Sequence, residues 1–171
     1  MNIYLVGMPG SGKSVLGRLM AVELGLGFLD TDEEITRIKG MSPEEIIDQE
    51  GELALRTAEH QLLKELTGRK NLVVSTGGGF PIFHDNMKIM KEKGLTLYLS
   101  CSPELLWSRL SNDRRRPLSL SYEVTCRLLE QRRSVYEDAG ITVSMGEDLR
   151  ENLESAVREI RAKYPDELTT G

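Results

Sequence analysis

At 171 residues, 39% of them hydrophobic and 29% charged, the chain has the size and balance of one soluble globular domain with room for a proper core. Its net charge of −5 argues against nucleic acid as the main partner, since phosphate backbones call for a basic face. Apolar runs of only a few residues predict no membrane span, and Met1 leads straight into a strand pattern rather than a secretory signal, so a cytoplasmic protein is expected.

The first strand is predicted over Asn2–Val6, on the apolar run Ile3-Tyr4-Leu5-Val6. Gly7-Met8-Pro9-Gly10-Ser11-Gly12-Lys13-Ser14 follows at once and fits G-x-x-x-x-G-K-[ST], with a helix pattern over Lys13–Leu24 behind it. Strand before and helix after is the context this phosphate loop needs. Its glycines let successive backbone N–H groups turn inward as an anion nest, and the helix N-terminus adds partial positive charge. Gly10, Ser11, Gly12, Lys13, Ser14 and Val15 are therefore the expected ATP-binding residues. Lys13 is expected along the β- and γ-phosphates, and Ser14 is expected to put its hydroxyl on Mg²⁺.

A second strand, Gly27–Leu29, runs into Asp30-Thr31-Asp32. An aspartate at a strand end often caps the next helix, and one of this pair is expected to do so. Two carboxylates two residues apart also allow a division of labour, one near a hydrated Mg²⁺ and one, Asp32, near an acceptor hydroxyl. Helices are predicted at Asp32–Ile38, Pro43–Gln49 and Glu52–Leu66. Arg56 lies on the shoulder of the stripe made by Leu55, Ala58, Leu62 and Leu66. Helix geometry divides evenly between a ligand-facing role and pairing with Glu52 and Glu59 on a solvated face. The third strand, Leu72–Ser75, lacks the aspartate many phosphate-loop proteins carry there, which leaves Asp30 to reach the metal through water. Gly77-Gly78-Gly79 follows it. Three consecutive glycines are entropically costly and make sense where a ligand approaches the main chain.

Further on, the pattern gives a helix over Asn86–Lys93, a strand over Leu95–Ser100 and a helix over Pro103–Leu110. From Ser111 to Ser121 the chain is polar and aperiodic, carries Arg114, Arg115 and Arg116 beside Pro117, and is predicted to be a lid over the reaction centre. A long helix over Tyr122–Ala139 has an apolar stripe of Val124, Leu128, Val135 and Ala139 with Arg132 inside it. An inward arginine is costly unless it meets an anion, either a protein carboxylate or a bound one. Arg133 falls outside the stripe and is expected to pair with Glu137. A last strand, Ile141–Ser144, and a helix, Leu149–Ala162, complete a single domain over residues 1–163, and the polar tail from Tyr164 to Gly171 is expected to fray. Cys101 and Cys126 sit in apolar patterns and are expected to be free thiols. The two histidines and two cysteines are widely scattered and give no metal-ligand spacing. Strands alternating with helices throughout predict a parallel sheet with helices on its faces.

Taken together these residues resemble the shikimate kinase family along nearly the whole chain. Phe28-Leu29-Asp30-Thr31-Asp32 looks like the family's Asp-x-Asp motif, and Gly51-Glu52 through Arg56 is similar to its G-E-x-x-F-R segment. Ser75-Thr76-Gly77-Gly78-Gly79 resembles its glycine triplet, and Arg116-Pro117-Leu118 its lid motif. The resemblance implies a five-stranded parallel α/β sheet flanked by helices, a three-layer sandwich like that of nucleoside-monophosphate kinases. It also implies MgATP-dependent phosphorylation of shikimate to shikimate 3-phosphate, by a monomer, in aromatic amino-acid synthesis. Asp30 would serve the Mg²⁺ environment, Asp32 the acceptor hydroxyls, and Gly77, Gly78 and Gly79 the acceptor ring. Arg56 and Arg132 would bind the shikimate carboxylate, Arg109 would lie at the adenine, and Arg116 would bear on the transferring phosphoryl oxygens. Leu55, Ser119, Ser134 and Met145-Gly146-Glu147-Asp148 depart from the family pattern. The lid and adenine departures bear on nucleotide affinity more than on the acceptor. Two rivals share features with this reading: a small kinase for another carboxylated polyol such as gluconate, and a nucleotide-dependent switch or binding module.

Overall fold

Five short runs dominated by Val, Leu and Ile pair side by side as parallel strands, the first along the chain in the middle, the third and then the second on one side of it, the fourth and then the fifth on the other. The computed structural model describes residues 1–112 and 121–165. The strands are β1 (Asn2–Val6), β2 (Gly27–Asp30), β3 (Leu72–Ser75), β4 (Gly94–Ser100) and β5 (Ile141–Ser144). Tyr4 of β1 lies opposite Val74 on one side and Thr96 on the other. Every residue of β1 is buried, as a central parallel strand covered on both faces requires. That strand therefore delivers the phosphate loop to the middle of the sheet.

The helices are α1 (Lys13–Leu24), α2 (Thr31–Lys39), α3 (Pro43–Glu50), α4 (Glu52–Leu66), α5 (Asn86–Lys93), α6 (Pro103–Asn112), α7 (Tyr122–Glu137) and α8 (Leu149–Lys163). Local chemistry sets their starts. Asp30 caps α2 through the amides of Asp32 and Glu33, and Ser42 with Glu45 makes a reciprocal capping box on α3. Asp148 caps α8 in the same way, through Arg150 and Glu151. No helix among the described residues is long and apolar enough to cross a membrane.

Three readings of α7 need correction. Its buried face is Thr125, Leu129 and Tyr136, while Val124, Leu128, Arg132 and Val135 are half-buried on the shoulder. The stripe is turned by one residue, about 100°. Burial of Thr125 is possible because its hydroxyl donates to the Ser121 carbonyl at 3.1 Å, a pairing that apolar periodicity does not register. Arg133 reaches back to Glu130 at 3.4 Å rather than forward to Glu137. The helix also stops at Glu137, because Asp138 and Ala139 turn back onto the Val135 and Tyr136 carbonyls. Elsewhere α6 runs on to Asn112, into the stretch expected to be lid, while residues 113–120, including Arg114, Arg115, Arg116, Pro117 and Leu118, lie outside the described residues. Tyr164 packs against the core and bonds the Ile160 carbonyl at 2.9 Å, and the rest of the predicted tail from residue 166 lies outside the described residues. Cys101 and Cys126 are free thiols, the first buried and the second half-buried.

Candidate active site at the carboxyl edge of the sheet

The loop after β1 turns sharply enough that Gly10 and Gly12 sit at φ 82° and 92°, a region closed to most side chains. Lys13 folds back over it, nine-tenths buried, and donates to the carbonyls of Gly7 at 2.9 Å and Met8 at 2.8 Å. The next residue, Ser14, donates its hydroxyl to Asp30 Oδ2 at 2.5 Å and lies 3.1 Å from Ser75 Oγ at the end of β3. Asp30 thus does two things with two oxygens. Oδ1 caps α2, and Oδ2 faces the phosphate loop.

With Asp30 committed to the cap, Asp32 sits one step into α2 with its carboxylate against the glycine triplet. A Cβ on Gly77 would stand 2.7 Å from Asp32 Oδ1. The triplet is held from three sides. The Gly77 amide donates to Thr31 Oγ1 at 3.0 Å, the Tyr136 hydroxyl donates to the Gly78 carbonyl at 2.7 Å, and Gly79 lies against Arg56. Burial pushes the Tyr136 phenol up to about 12, against the neighbouring Arg132 charge, so it stays a donor at neutral pH.

Arg56 is buried rather than solvated. Its Nη1 donates to both Glu59 oxygens at 2.9 and 2.8 Å, and its Nη2 and Nε donate to Glu52 Oε1 at 3.0 and 3.4 Å. Both expected partners are present, but Glu59 is itself only 2% exposed. Burial pushes the Glu59 carboxyl up to about 7, with Asp32 adding to the rise and Arg56 and Arg132 opposing it. Arg132 is half-buried on α7, with a guanidinium nitrogen 3.2 Å from where a Gly78 Cβ would stand. Among the described residues it forms no ion pair with a carboxylate; its guanidinium lies beside the Tyr136 hydroxyl.

One cavity of about 370 Å³ opens on all of these groups: Lys13 and Ser14 on one side, Asp32 and the glycine triplet as floor, Arg56 and Arg132 opposite. Gly10, Gly12 and Val15 lie at its phosphate-loop end. Arg109 does not face this cavity. Its Nη1 donates to the Gly10 and Ser11 carbonyls at 3.3 and 3.2 Å and its Nη2 to the Gly146 carbonyl at 2.9 Å, on the outer flank of the loop. Asn152 clamps Gly146 by both amide and carbonyl, so the stretch that departs from the family pattern is an ordered turn.

Residue spacing named Glu59 as a partner of Arg56 but missed its burial, and it passed over Phe83. Glu59 lies three residues after Arg56, and Leu55, Leu62, Leu63 and Leu66 share its buried face; its place in that stripe was the available signal. Phe83 has its ring on the Arg56 guanidinium, 4.4 Å from centroid to Cζ, and a single aromatic in a turn gives no pattern to read.

Comparison with known proteins agrees with this geometry. The sequence matches the family model described as shikimate kinase over residues 9–164. A shikimate kinase from Persephonella marina is 40% identical over 144 residues, which is 84% of this chain and 88% of that protein. One from Rippkaea orientalis is 38% identical over 168 residues, covering 96% and 88%. Among solved structures, shikimate kinase from Acinetobacter baumannii in complex with shikimate superposes with a TM-score of 0.87 at 35% identity, covering 98% of this chain and 95% of that one. A deoxyadenosine kinase from M. mycoides with bound dATP, at 16% identity and a TM-score of 0.67, shares the fold alone. By sequence over nearly its whole length and by structure, the chain belongs to the shikimate kinase family.

Proposed function

We infer that this chain transfers the γ-phosphoryl group of ATP to shikimate, giving shikimate 3-phosphate and ADP in aromatic amino-acid synthesis. The observation that carries the reading is the single cavity joining the phosphate loop to Asp32, Arg56 and Arg132. Shikimate is a small ring with one carboxylate and three hydroxyls. Arg132, with the second Nη2 hydrogen that Glu52 and Glu59 leave on Arg56, fixes the carboxylate, and hence the ring, at one end. Asp32 then accepts a hydrogen bond from the reacting hydroxyl and orients it in line with the γ-phosphorus. Gly77, Gly78 and Gly79 let the ring lie close to the main chain.

The transition state of phosphoryl transfer is loose, so positioning and charge stabilisation supply most of the rate. The loop amides at Gly10, Gly12 and Val15 cradle the phosphates, and the Ser11 amide turns from the Met8 carbonyl to join them. Lys13 leaves the Gly7 and Met8 carbonyls to meet the β- and γ-oxygens. Arg116 bears on the transferring oxygens and Arg109 lies on the base side. The Ser14 hydroxyl and the Asp30 carboxylate are hard oxygen donors, which suit Mg²⁺ held directly by the first and through water by the second. Bound there, the ion neutralises charge on the β- and γ-phosphates. The reading further places the enzyme as a monomer in a reducing cytoplasm, in keeping with the free thiols.

The test is ATP consumption against a panel of shikimate, gluconate, nucleoside monophosphates and no acceptor. Turnover is expected with shikimate, and Lys13→Ala is expected to abolish it for every acceptor. A wild-type rate that shikimate leaves unchanged would sink the reading.

A further inference from the structure

We propose that Phe83 is a positioning residue of the acceptor site, its ring holding the plane of the Arg56 guanidinium for the substrate carboxylate. The inference rests on the reading above, in which Arg56 meets a carboxylate.

Two sides of the Arg56 guanidinium are engaged, by Glu52 along Nε and Nη2 and by Glu59 at Nη1, which leaves the second Nη2 hydrogen for a carboxylate. Two edge contacts leave a planar cation free to tilt about its own axis. Tilt is limited by what lies on its face, and there the Phe83 ring sits, 4.4 Å from Cζ. A guanidinium over an aromatic face is attracted by the ring quadrupole, more strongly where water is excluded. Arg56 is 6% exposed, so this pair is largely dry.

Phe83 has no competing role in the core. Its neighbour Ile82 packs against the hydrophobic cluster of the sheet, whereas Phe83 is half-buried and stands outside that cluster. The turn that presents it is built with unusual care. Asn86 is fully buried and donates to the Phe80 carbonyl at 2.7 Å, which turns its Oδ1 to His60 Nδ1, also at 2.7 Å. His60 Nδ1 is therefore the donor of that bond. His84, directly after Phe83, holds φ 52°, a left-handed conformation that a side-chain-bearing residue adopts at a cost, and its ring lies against that of His60, centroids 4.8 Å apart and planes tilted by 37°. His60 follows Glu59 on α4. The turn carrying Phe83 is thus fastened to the same helix that carries Arg56 and Glu59, and ring and guanidinium keep one spacing.

Three variants test this: Phe83→Leu, which keeps apolar bulk and loses the aromatic face, Phe83→Tyr, which keeps the face, and Phe83→Ala as a check on volume. In Phe83→Leu the KM for shikimate is expected to rise about three- to tenfold, with kcat and the KM for ATP within about twofold of wild type. Phe83→Tyr is expected to restore the wild-type KM. Equal shikimate KM values in the Leu and Tyr variants, raised or not, would overturn the proposal, as would parallel rises in both substrates' KM. A second measurement is independent of the acceptor's identity. Modification of Arg56 by phenylglyoxal, mapped by mass spectrometry, should accelerate in Phe83→Leu and Phe83→Ala but not in Phe83→Tyr. Should wild-type turnover ignore shikimate, that labelling pattern still decides whether Phe83 holds Arg56, and identical labelling in all variants rejects it.

Discussion

Burial pushes the Glu59 carboxyl up to about 7, from an ordinary value of 4.5, even with the Arg56 guanidinium against it. Two carboxylates, Glu59 and Asp32, line the same cavity as Arg56 and Arg132, and the dry surroundings favour a proton on the more buried of the two. The folded chain then holds a proton between about pH 4.5 and 7 that the unfolded chain has released. Stability is fullest below that window and falls as pH rises through it, by an amount on the order of 3 kcal/mol. Glu59→Gln removes the titrating group. Urea unfolding at pH 5 and pH 8 is expected to show the wild type losing stability relative to this variant at the higher pH. A gap between the two that does not change with pH would contradict the assignment.

Among the elements, the turn from β3 into the glycine triplet most directly couples backbone to chemistry. A Cβ on Gly79 would stand 2.5 Å from both Nη1 and Nη2 of Arg56. A flexible arginine could swing away from such a clash, but this one is fastened by Glu52, Glu59 and Phe83. Gly79→Ala is therefore expected to fold, to raise the KM for shikimate at least tenfold, about the cost of one disturbed charged hydrogen bond, and to leave the KM for ATP near wild type. Steady-state kinetics with each substrate varied in turn check it, and an unchanged shikimate KM would show that Arg56 yields freely. Much of this layer was legible in one dimension. The strands Asn2–Val6, Leu72–Ser75 and Ile141–Ser144 and the helices Lys13–Leu24, Glu52–Leu66 and Asn86–Lys93 each have a Gly or Asn directly beside one end or both, so local chemistry sets much of their bounds. Strand order was not legible, because β1 lies between β3 and β4, partners some seventy to ninety residues away. Spaced motifs located the cavity's Lys13, Asp32, glycine triplet and Arg132. The burial of Arg56 escaped because a charged pair three residues apart on a helix looks the same in sequence whether wet or dry. The α7 stripe shifted for a related reason: a threonine satisfied by its own backbone can be buried, and a pattern of apolar letters omits it.

At the scale of the molecule, the cavity has two walls that belong to different parts of the sheet. The phosphate loop hangs from the central strand, while Asp32, the triplet and Arg56 come from the β2 and β3 side. Ligands of the two walls should stabilise the fold separately, each by up to about 2.7 kcal/mol at a hundredfold excess over its dissociation constant. Arg132→Ala is expected to weaken shikimate binding by about 2–5 kcal/mol, as for one truncated partner of a desolvated charge pair. In thermal melts it should lose the shift given by shikimate and keep the shift given by ATP. Loss of both shifts would mean that Arg132 supports the whole cavity rather than one wall.

The order β2-β3-β1-β4-β5 has an evolutionary consequence. Arg109 and the Gly146 turn lie by β4 and β5, beyond the phosphate loop from Asp32 and Arg56. With Arg109 on the base side, as proposed above, substitutions around β2 and β3 change the surroundings of Asp32 and Arg56 and leave the Arg109–Gly146 contacts untouched. A lineage built on this plan can exchange one substrate for another in small steps and never give up ATP on the way.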